Sequence, residues 1–283
     1  MVAQVKAIAC ELPAARGEPL SRFSMADIRR VALWEGIVEA ISASTIWRWL
    51  DADALRPWRH RPWIFPRDPA FAEKAGRVLD LYAGTWDGET LGPREYVLSA
   101  DEKTSIQARR RIAPGTPPQP GRTRRVEFEY DRCGAVVYLA ARDVFSGQVI
   151  GQVSPHSGKE PFNDLVRLVM SQAPYADAER VFWIVDNGSS HHPGTFPARL
   201  AEMYPNAVAV HLPVHASWLN QIEIFFSILQ RKLLTPSDFP DTEALAESIR
   251  RFQERCNAEA RPFQWTFTRT KLAEFVRHLK IAS

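Results

Sequence analysis

The sequence lacks several features that would assign it to a secreted, membrane or nucleotide-binding class. It has three cysteines, Cys10, Cys133 and Cys256, which stand far apart and form no CxxC pair. This spacing excludes a zinc ribbon and predicts reduced thiols. No apolar run approaches the roughly 18 residues needed to span a bilayer. The N-terminus has no signal-peptide pattern, so we expect a cytoplasmic protein. Neither GxxxxGK[ST] nor GxGxxG occurs, so a phosphate-binding loop is not predicted.

Acidic residues are absent between Lys103 and Arg125, although the whole chain is only mildly basic, with a net charge of +3. This stretch carries seven basic residues: Lys103, Arg109, Arg110, Arg111, Arg122, Arg124 and Arg125. A block of like charge repels itself unless it is solvated or lies against phosphates. We therefore predict a basic loop that binds DNA, with a solvated surface loop as the alternative.

Residues 1–66 have a helical pattern. Ser24 is a suitable N-cap with Asp27 three residues later, and a second short helix is expected to start at Ser42 or Ser44. Two short helices joined by a small turn are typical of a helix-turn-helix. In that motif Ser44, Thr45 and Arg48 would meet phosphates and base edges of DNA. The alternative is a plain helical hairpin with a surface arginine.

Arginines alternate with tryptophans directly after these helices, at Arg56, Arg59 and Arg61. Two prolines favour an extended strap, in which arginine contacts phosphate and tryptophan stacks on sugar or base. The alternative is that the tryptophans pack onto their own domain, which is their commoner role. Residues 67–93 then predict a helix from 71 to 82 and a glycine-containing linker.

From residue 94 the pattern changes to strands and helices in the order βββαβαβα. Strands are predicted at 96–101, 134–141, 148–153, 181–186 and 207–211, which indicates an α/β fold. The run Val181–Val185 is apolar without alternation, which is typical of a strand buried on both faces. It ends on Asp186, and the first strand ends on Asp101. Carboxylates at strand ends lie where open α/β sheets bind ligands.

A third carboxylate, Glu223, lies in a strongly amphipathic stretch that predicts a helix capped by Ser217. Three carboxylates are a ligand set that suits Mg²⁺. Two such ions about 3.5–4 Å apart activate a nucleophile and stabilise a leaving oxygen in phosphodiester chemistry. Glu102 is adjacent to Asp101 but should point to the opposite face of its strand, so Asp101 is the predicted ligand.

Three blocks of the sequence resemble mariner-type DDE transposases, in particular the bacterial insertion-sequence branch called IS six-thirty. They are Ser99–Glu102, Val185–Gly188 with His191 behind it, and Ser217–Glu223. The resemblance implies an RNase H-like domain at 94–283, with a mixed five-stranded sheet flanked by helices, preceded by a small all-α helix-turn-helix domain. It also implies a catalytic metal-binding triad of Asp101, Asp186 and Glu223.

The resemblance further implies function and partners. Such a protein cuts transposon ends and joins them to target DNA, using two Mg²⁺ ions for which Mn²⁺ substitutes. Double-stranded DNA and a second copy in a homodimer are the implied partners. Asn187, His191 and Asn220 are implied to support the site, while turn formation is the alternative role for Asn187 and His191. A catalytically inactive DNA-binding remnant, or a nuclease without strand transfer, are the alternative functions.

Two departures from the family pattern stand out. Gln221 occupies the position where the family often has proline before an Ile-Glu pair. Only 100 residues precede Asp101, whereas family members usually carry two helix-turn-helix units there. The resemblance therefore predicts an incomplete DNA-binding region, as in an N-terminally truncated copy.

Overall fold

The structure is a computed structural model that describes residues 1–60 and 66–281, with side chains described to residue 278. The chain divides into two compact units, Met1–Ile64 and Phe65–Ser283. In the described part of the chain, no helix combines the length and the apolar character needed to cross a membrane.

The first unit is built from three α-helices around one apolar core. These are α1 (Val2–Cys10), α2 (Met25–Trp34) and α3 (Ala43–Ala52), with a 3-10 turn at Pro13–Arg16. Ser24 and Asp27 cap α2 reciprocally, and Ser42 caps α3 by accepting the amide of Thr45 at 3.1 Å. The predicted starts of both helices are confirmed. Their apolar sides pack against each other, and Ile28, Ile46 and Leu50 are therefore fully buried.

The second unit is organised by a five-stranded mixed sheet in the order β5-β4-β3-β6-β7. Its strands are β3 (Glu95–Arg111), β4 (Tyr130–Asp143), β5 (Val149–Ser154), β6 (Arg180–Val185) and β7 (Ala207–His211). A two-stranded hairpin, β1 (Thr85–Trp86) and β2 (Glu89–Thr90), precedes it. Strand β6 pairs parallel with β3 and β7, whereas β4 pairs antiparallel with β3 and β5. The predicted α/β fold with a mixed five-stranded sheet is confirmed.

Helices cover both faces of this sheet. The helices are α4 (Phe71–Tyr82), α5 (Lys159–Met170), α6 (Phe196–Met203), α7 (Ile222–Lys232), α8 (Thr242–Ala258) and α9 (Arg269–Ile281). One face packs on α5 and α6 through Phe162, Leu165 and Phe196. The other face packs on α4, α7, α8 and α9. Strand β6 is buried along Val181–Val185 because it lies between β3 and β7 with both faces covered.

The helix expected to form part of a linker over 67–93 belongs to the second unit. Its residues Ala75, Val78 and Leu81 are fully buried in the core that includes β6. An amphipathic helix buries its apolar side wherever an apolar sheet face is available, and here that face is the β6–β7 side of the sheet.

Strand β3 is much longer than predicted. It pairs with β6 only as far as Ser99↔Ile184 but continues along β4 to Arg111↔Tyr130. Arg109, Arg110 and Arg111 are therefore strand residues, and the prediction that they lie in a loop is wrong. The charged side chains did not end the strand because, beyond β6, this part of β3 has intermediate or exposed positions that accommodate them.

Candidate active site

Asp101 lies on β3 two residues beyond the last pair with β6. It is 7 % exposed and faces the side of the sheet on which its partner Ala140 is buried. Its Oδ1 accepts the amide N–H of Glu102 at 2.7 Å, and the side-chain amide of Asn220 lies 3.5 Å from its Oδ2. Asp101 is thus a nearly buried carboxylate with a fixed orientation.

Asp186 follows directly after β6, as the run of apolar residues predicted. Its Oδ1 accepts the amide N–H of Gly188 at 2.7 Å, which is a tight turn around the carboxylate. The neighbouring Asn187 donates its side-chain amide to the carbonyl of Leu212 at 2.9 Å. This bond ties the turn to the end of β7, so the structure gives Asn187 a structural partner at the site edge.

His191 joins the two aspartates. Its Nδ1 lies 3.2 Å from Asp186 Oδ1, and its Nε2 lies 3.8 Å from Asp101 Oδ1. One ligand atom from each of Asp101, Asp186 and His191 lies within 4.8 Å of the others. The imidazole is 1 % exposed and packs on the ring of Phe162 at 4.8 Å between centroids. The structure therefore gathers a set of three possible metal ligands where β6 ends beside β3.

The charges of this cluster depend on one another. Burial by itself lowers the pKa of His191, but its hydrogen bonds to Asp101 and Glu102 outweigh burial and raise the pKa to about 10. Burial raises the pKa of Asp101, and the nearby charge of Asp186 raises it further, against the bond to His191. Negative charge is thus crowded at the site, and positive charge is favoured there.

Glu102 also reaches the cluster, which the sequence did not predict. Its carboxylate accepts a hydrogen bond from the Ser190 hydroxyl at 2.6 Å, and its Oε2 lies 3.3 Å from His191 Nε2. Strand alternation does direct Glu102 and Asp101 to opposite faces. The expectation that this separates Glu102 from the site is wrong because β6 has already ended, and the 186–191 loop passes beside both residues.

Glu223 lies in the first turn of α7, and its residue is exposed. The predicted helix start at Ser217 is wrong: Ser217–Leu219 forms a 3-10 turn, and α7 begins at Ile222. Partial burial raises the pKa of Glu223, the charges of Asp101 and Asp186 raise it further, and Lys103 opposes them. Glu223 is therefore electrostatically coupled to both aspartates, although it is not one of the three closely spaced ligands.

A buried hydrogen-bond network joins β3 to the start of α7. Ser99 donates to Oδ1 of Asn220 and accepts the amide N–H of Ile222 at 2.8 Å. Asn220 in turn donates to the carbonyl of Ala100 at 3.1 Å. The Tyr82 hydroxyl donates to the Leu219 carbonyl at 2.8 Å. Sequence reasoning singled out Asn220 but not Ser99 or Tyr82, because no local pattern reveals a partner more than 100 residues away.

The DNA-binding residues predicted in the first unit lie on α3 and the segment after it. Ser44 and Arg48 are exposed, whereas Thr45 is half-buried and shares a hydrogen bond with Ser42. Arg56 and Arg59 are exposed. Arg61 lies outside the described residues. The structure thus leaves the polar side of α3 open to solvent.

The arginines predicted to bind DNA in the second unit have different environments. Arg124 and Arg125 are exposed in the β3–β4 connection, and Arg110 pairs with Asp131 at 2.8 Å. Arg111 instead donates to the carbonyls of Ser237, Glu127 and Phe128. These bonds engage Nε and one terminal nitrogen of the guanidinium, so Arg111 has a structural role, and its contact with DNA stays a prediction.

The mixed five-stranded sheet, flanked by helices and carrying Asp101 within β3 and Asp186 directly after β6, defines an RNase H-like fold. The family model of the DDE superfamily endonucleases matches residues 96–246, more than half of the chain. The chain belongs to this family. The match includes Asp101, Asp186 and Glu223.

A solved structure has a similar fold. A crystal structure of a pre-cleavage Mos1 transpososome is 12% identical, with a TM-score of 0.50 over 93% of this chain and 80% of that chain. The mariner Mos1 paired end complex with Mg is 13% identical, with a TM-score of 0.49 over 87% of this chain and 82% of that chain. Curated proteins contain no match to the chain.

Proposed function

We propose that this protein is a transposase of the insertion-sequence branch called IS six-thirty, which cuts transposon ends and joins them to target DNA. The catalytic residues are Asp101, Asp186 and Glu223, with two Mg²⁺ ions that Mn²⁺ replaces. The observation that carries the proposal is the convergence of Asp101, Asp186 and His191 within 4.8 Å of one another, where β6 ends beside its parallel neighbour β3.

The residues present suit a divalent cation. Carboxylate oxygens are the ligands that Mg²⁺ prefers, and Mn²⁺ accepts the same oxygens together with imidazole. Burial raises the pKa values of Asp101 and Glu223, and the charges of neighbouring carboxylates raise them further, so a bound cation would favour their ionised forms. When bound, two such ions supply an activated nucleophile and stabilise the leaving oxygen.

The protein's own groups orient the carboxylates. The Glu102 amide and Asn220 direct Asp101, and the Gly188 amide directs Asp186. His191 holds the two strand ends at a fixed separation through its two ring nitrogens. Such preorganisation lowers the cost of placing a phosphodiester for in-line attack.

We further propose that α3 contacts double-stranded DNA through Ser44, Thr45 and Arg48, assisted by Arg56 and Arg59, and that the protein acts as a homodimer on two DNA ends. Arg48→Ala should weaken the binding of a labelled duplex in a gel-shift assay. Arg30→Ala is the matched control, since Arg30 is exposed on α2 and paired with Glu18. Equal effects of both substitutions would favour a plain helical hairpin.

The catalytic proposal is tested with the purified full chain, DNA that carries the flanking ends of its own gene, and Mg²⁺ or Mn²⁺. We expect metal-dependent nicks and joined products that are lost in Asp186→Asn and Glu223→Gln but retained in the exposed control Glu202→Gln. Nicking by both variants at the wild-type rate would refute the triad.

Two other outcomes identify the alternatives. Salt-sensitive DNA binding without nicking would indicate a catalytically inactive remnant. Nicked DNA that accumulates without joined product would indicate an RNase H-like nuclease that does not transfer strands.

A further inference from the structure

A polar cavity of about 350 Å³ opens beside β3, beyond the point where β6 ends. The charged and hydrogen-bonding residues of its lining include Lys103, Ser105, Arg109, Arg111, Gln230 and Thr235. We call it the edge cavity. It lies between the bulged part of β3 and the end of α7, and none of these side chains is a candidate ligand of the acidic cluster.

The edge cavity carries positive charge that the fold does not neutralise. Among the ion pairs formed by described residues, neither Lys103 nor Arg109 takes part. The guanidinium of Arg109 lies over the ring of Tyr130 at 4.7 Å, which holds it in place and leaves its N–H groups available. Two such cations beside one cavity favour an anionic ligand.

The backbone of the cavity also suits an anion. The β3–β4 register shifts between Lys103 and Ile106, so Thr104 and Ser105 have no partner on β4. Ser105 has a φ of 56°, in the left-handed region. The extra residue of a bulge leaves the ladder, and amides turned in this way form concavities that bind anions. Opposite the ladder, Gln230 donates to the Thr235 hydroxyl at 3.0 Å and closes the other wall.

The edge cavity lies beside the strand that carries Asp101. Lys103 is two residues beyond Asp101 on the same strand face. Gln230 lies seven residues after Glu223 on α7, which corresponds to about 10 Å along one face of the helix. At about 3.4 Å per nucleotide, this distance corresponds to roughly three nucleotides of one strand.

We propose that the edge cavity binds a backbone phosphate of the DNA strand that reacts at the acidic cluster, about three nucleotides from the reacting phosphate. This inference rests on the proposed function, because it takes DNA as the substrate. Lys103 and Arg109 neutralise the phosphate, and the bulge at Ser105 donates to it. The cavity thereby sets the direction in which the strand leaves the site.

The test measures binding of the full chain to a fluorescent DNA duplex in Ca²⁺ across a salt series. For Lys103→Gln and Arg109→Gln we expect the slope of log K against log[salt] to become shallower by about 0.9 each, with roughly threefold weaker binding in low salt. Lys271→Gln is the control, since Lys271 is exposed on α9, and it should leave the slope unchanged.

Position is then read from the cleavage assay. Single phosphates on either side of a mapped Mn²⁺-dependent nick are replaced by uncharged methylphosphonates. Wild type should be impaired by one replacement about three nucleotides from the nick, and Lys103→Gln should be insensitive to that replacement. Sensitivity that Lys103→Gln retains would overturn the assignment.

The two proposals fail in different ways. If wild type binds DNA with the Lys103-dependent slope but never nicks, the edge cavity stands and the endonuclease proposal fails. If wild type nicks but Lys103→Gln and Arg109→Gln have the same salt slope as the control Lys271→Gln, the edge-cavity proposal is refuted. It is also refuted if wild type does not bind the duplex. Competition by inorganic phosphate with no sensitive position in the strand would identify a free-anion site and also refute it.

Discussion

Ser99 and Asn220 share a hydrogen bond between two fully buried side chains that stand 121 residues apart in the chain. Ser99 lies on the strand that carries Asp101, and Asn220 precedes the helix that carries Glu223. The bond therefore fixes the relative position of two of the three proposed catalytic carboxylates.

Ser99→Ala should impair both stability and cleavage. The substitution removes the donor to Asn220 and the acceptor of the Ile222 amide, and leaving buried groups unsatisfied costs about 1–3 kcal/mol. Loss of the fixed geometry should slow nicking by about tenfold to a hundredfold. Urea unfolding and the nicking rate are the measurements. Ser171→Ala, at the exposed end of α5, is the control, and an equal nicking rate in both variants would remove Ser99 from this role.

Glu223→Gln should stabilise the metal-free protein slightly while weakening its response to metal. The raised pKa of Glu223 means that the folded state disfavours its ionised form, and this penalty is present at pH values above that pKa. In EDTA the variant should therefore melt slightly above wild type. With Mn²⁺, wild type should gain more stability than the variant, because a metal that binds only the folded state raises the melting temperature.

The control for this prediction is Glu202→Gln, an exposed residue on α6. It should leave both the metal-free melting temperature and the Mn²⁺ shift close to wild type. A full Mn²⁺ shift in Glu223→Gln would show that Glu223 does not contribute to metal binding.

Gln221→Pro should be tolerated by the backbone. Gln221 has a φ of −64°, close to that of proline, and Asn220 is extended, as a residue before proline must be. The substitution removes the amide that Gln221 donates to the Tyr82 hydroxyl at 3.3 Å and the side-chain acceptor of the buried Arg142 at 3.4 Å. We expect nicking to persist, with a stability loss of about 1–3 kcal/mol.

The contrast variant is Ser227→Pro in the interior of α7. There proline removes a helical hydrogen bond and clashes with the preceding turn, at a cost of about 3 kcal/mol or more. Loss of nicking in Ser227→Pro alone would agree with this account, whereas its loss in Gln221→Pro would mean that the Arg142 contact is needed for activity.

Because of Asp68, the free energy of unfolding should vary with pH in the acid range. Its carboxylate is 3 % exposed and accepts bonds from the amides of Ala70 and Val214 and from Lys74 at 2.8 Å. Burial raises its pKa, but these bonds together lower it below the usual value. Its contribution is therefore complete above the unfolded pKa of about 3.9 and is lost as pH falls through the lower folded pKa.

Asp68→Asn should accordingly lower the free energy of unfolding at pH 7 by about 1–3 kcal/mol. The difference from wild type should shrink as the pH falls below about 4. Denaturant unfolding over a pH series measures it. Asp164→Asn, which breaks an exposed pair with Arg167, should change stability by less than about 0.5 kcal/mol at any pH.

The strands that carry the site were predictable because their signals are local. The apolar run of β6 must be covered on both faces, and Asp186 can only follow it. The place of Glu102 was not predictable in this way. Its contact with His191 depends on how far β6 extends beside β3 and on the path of the loop after it, which are tertiary properties.

The start of α7 shows a second limit. Ser217 is a good capping residue, but its segment forms a 3-10 turn, and Ser99 accepts the first helical amide from across the sheet instead. A cap supplied by a distant strand leaves no trace in the local sequence. Arg111 likewise is a residue type typical of DNA ligands, yet its guanidinium donates hydrogen bonds to carbonyls of two other segments.

The extra residue in the bulge of β3 decides which side chains of the outer half face solvent. Before it, Lys103 pairs with Tyr138, and after it Ile106 pairs with Val136 on the same face of the sheet. Removal of one residue here would invert the alternation of everything that follows. Ala108 would exchange places with Arg109, and a guanidinium would be driven into the core. The alternation of side chains along the strand, rather than its composition, is what keeps Arg109 off the face that carries Ala108.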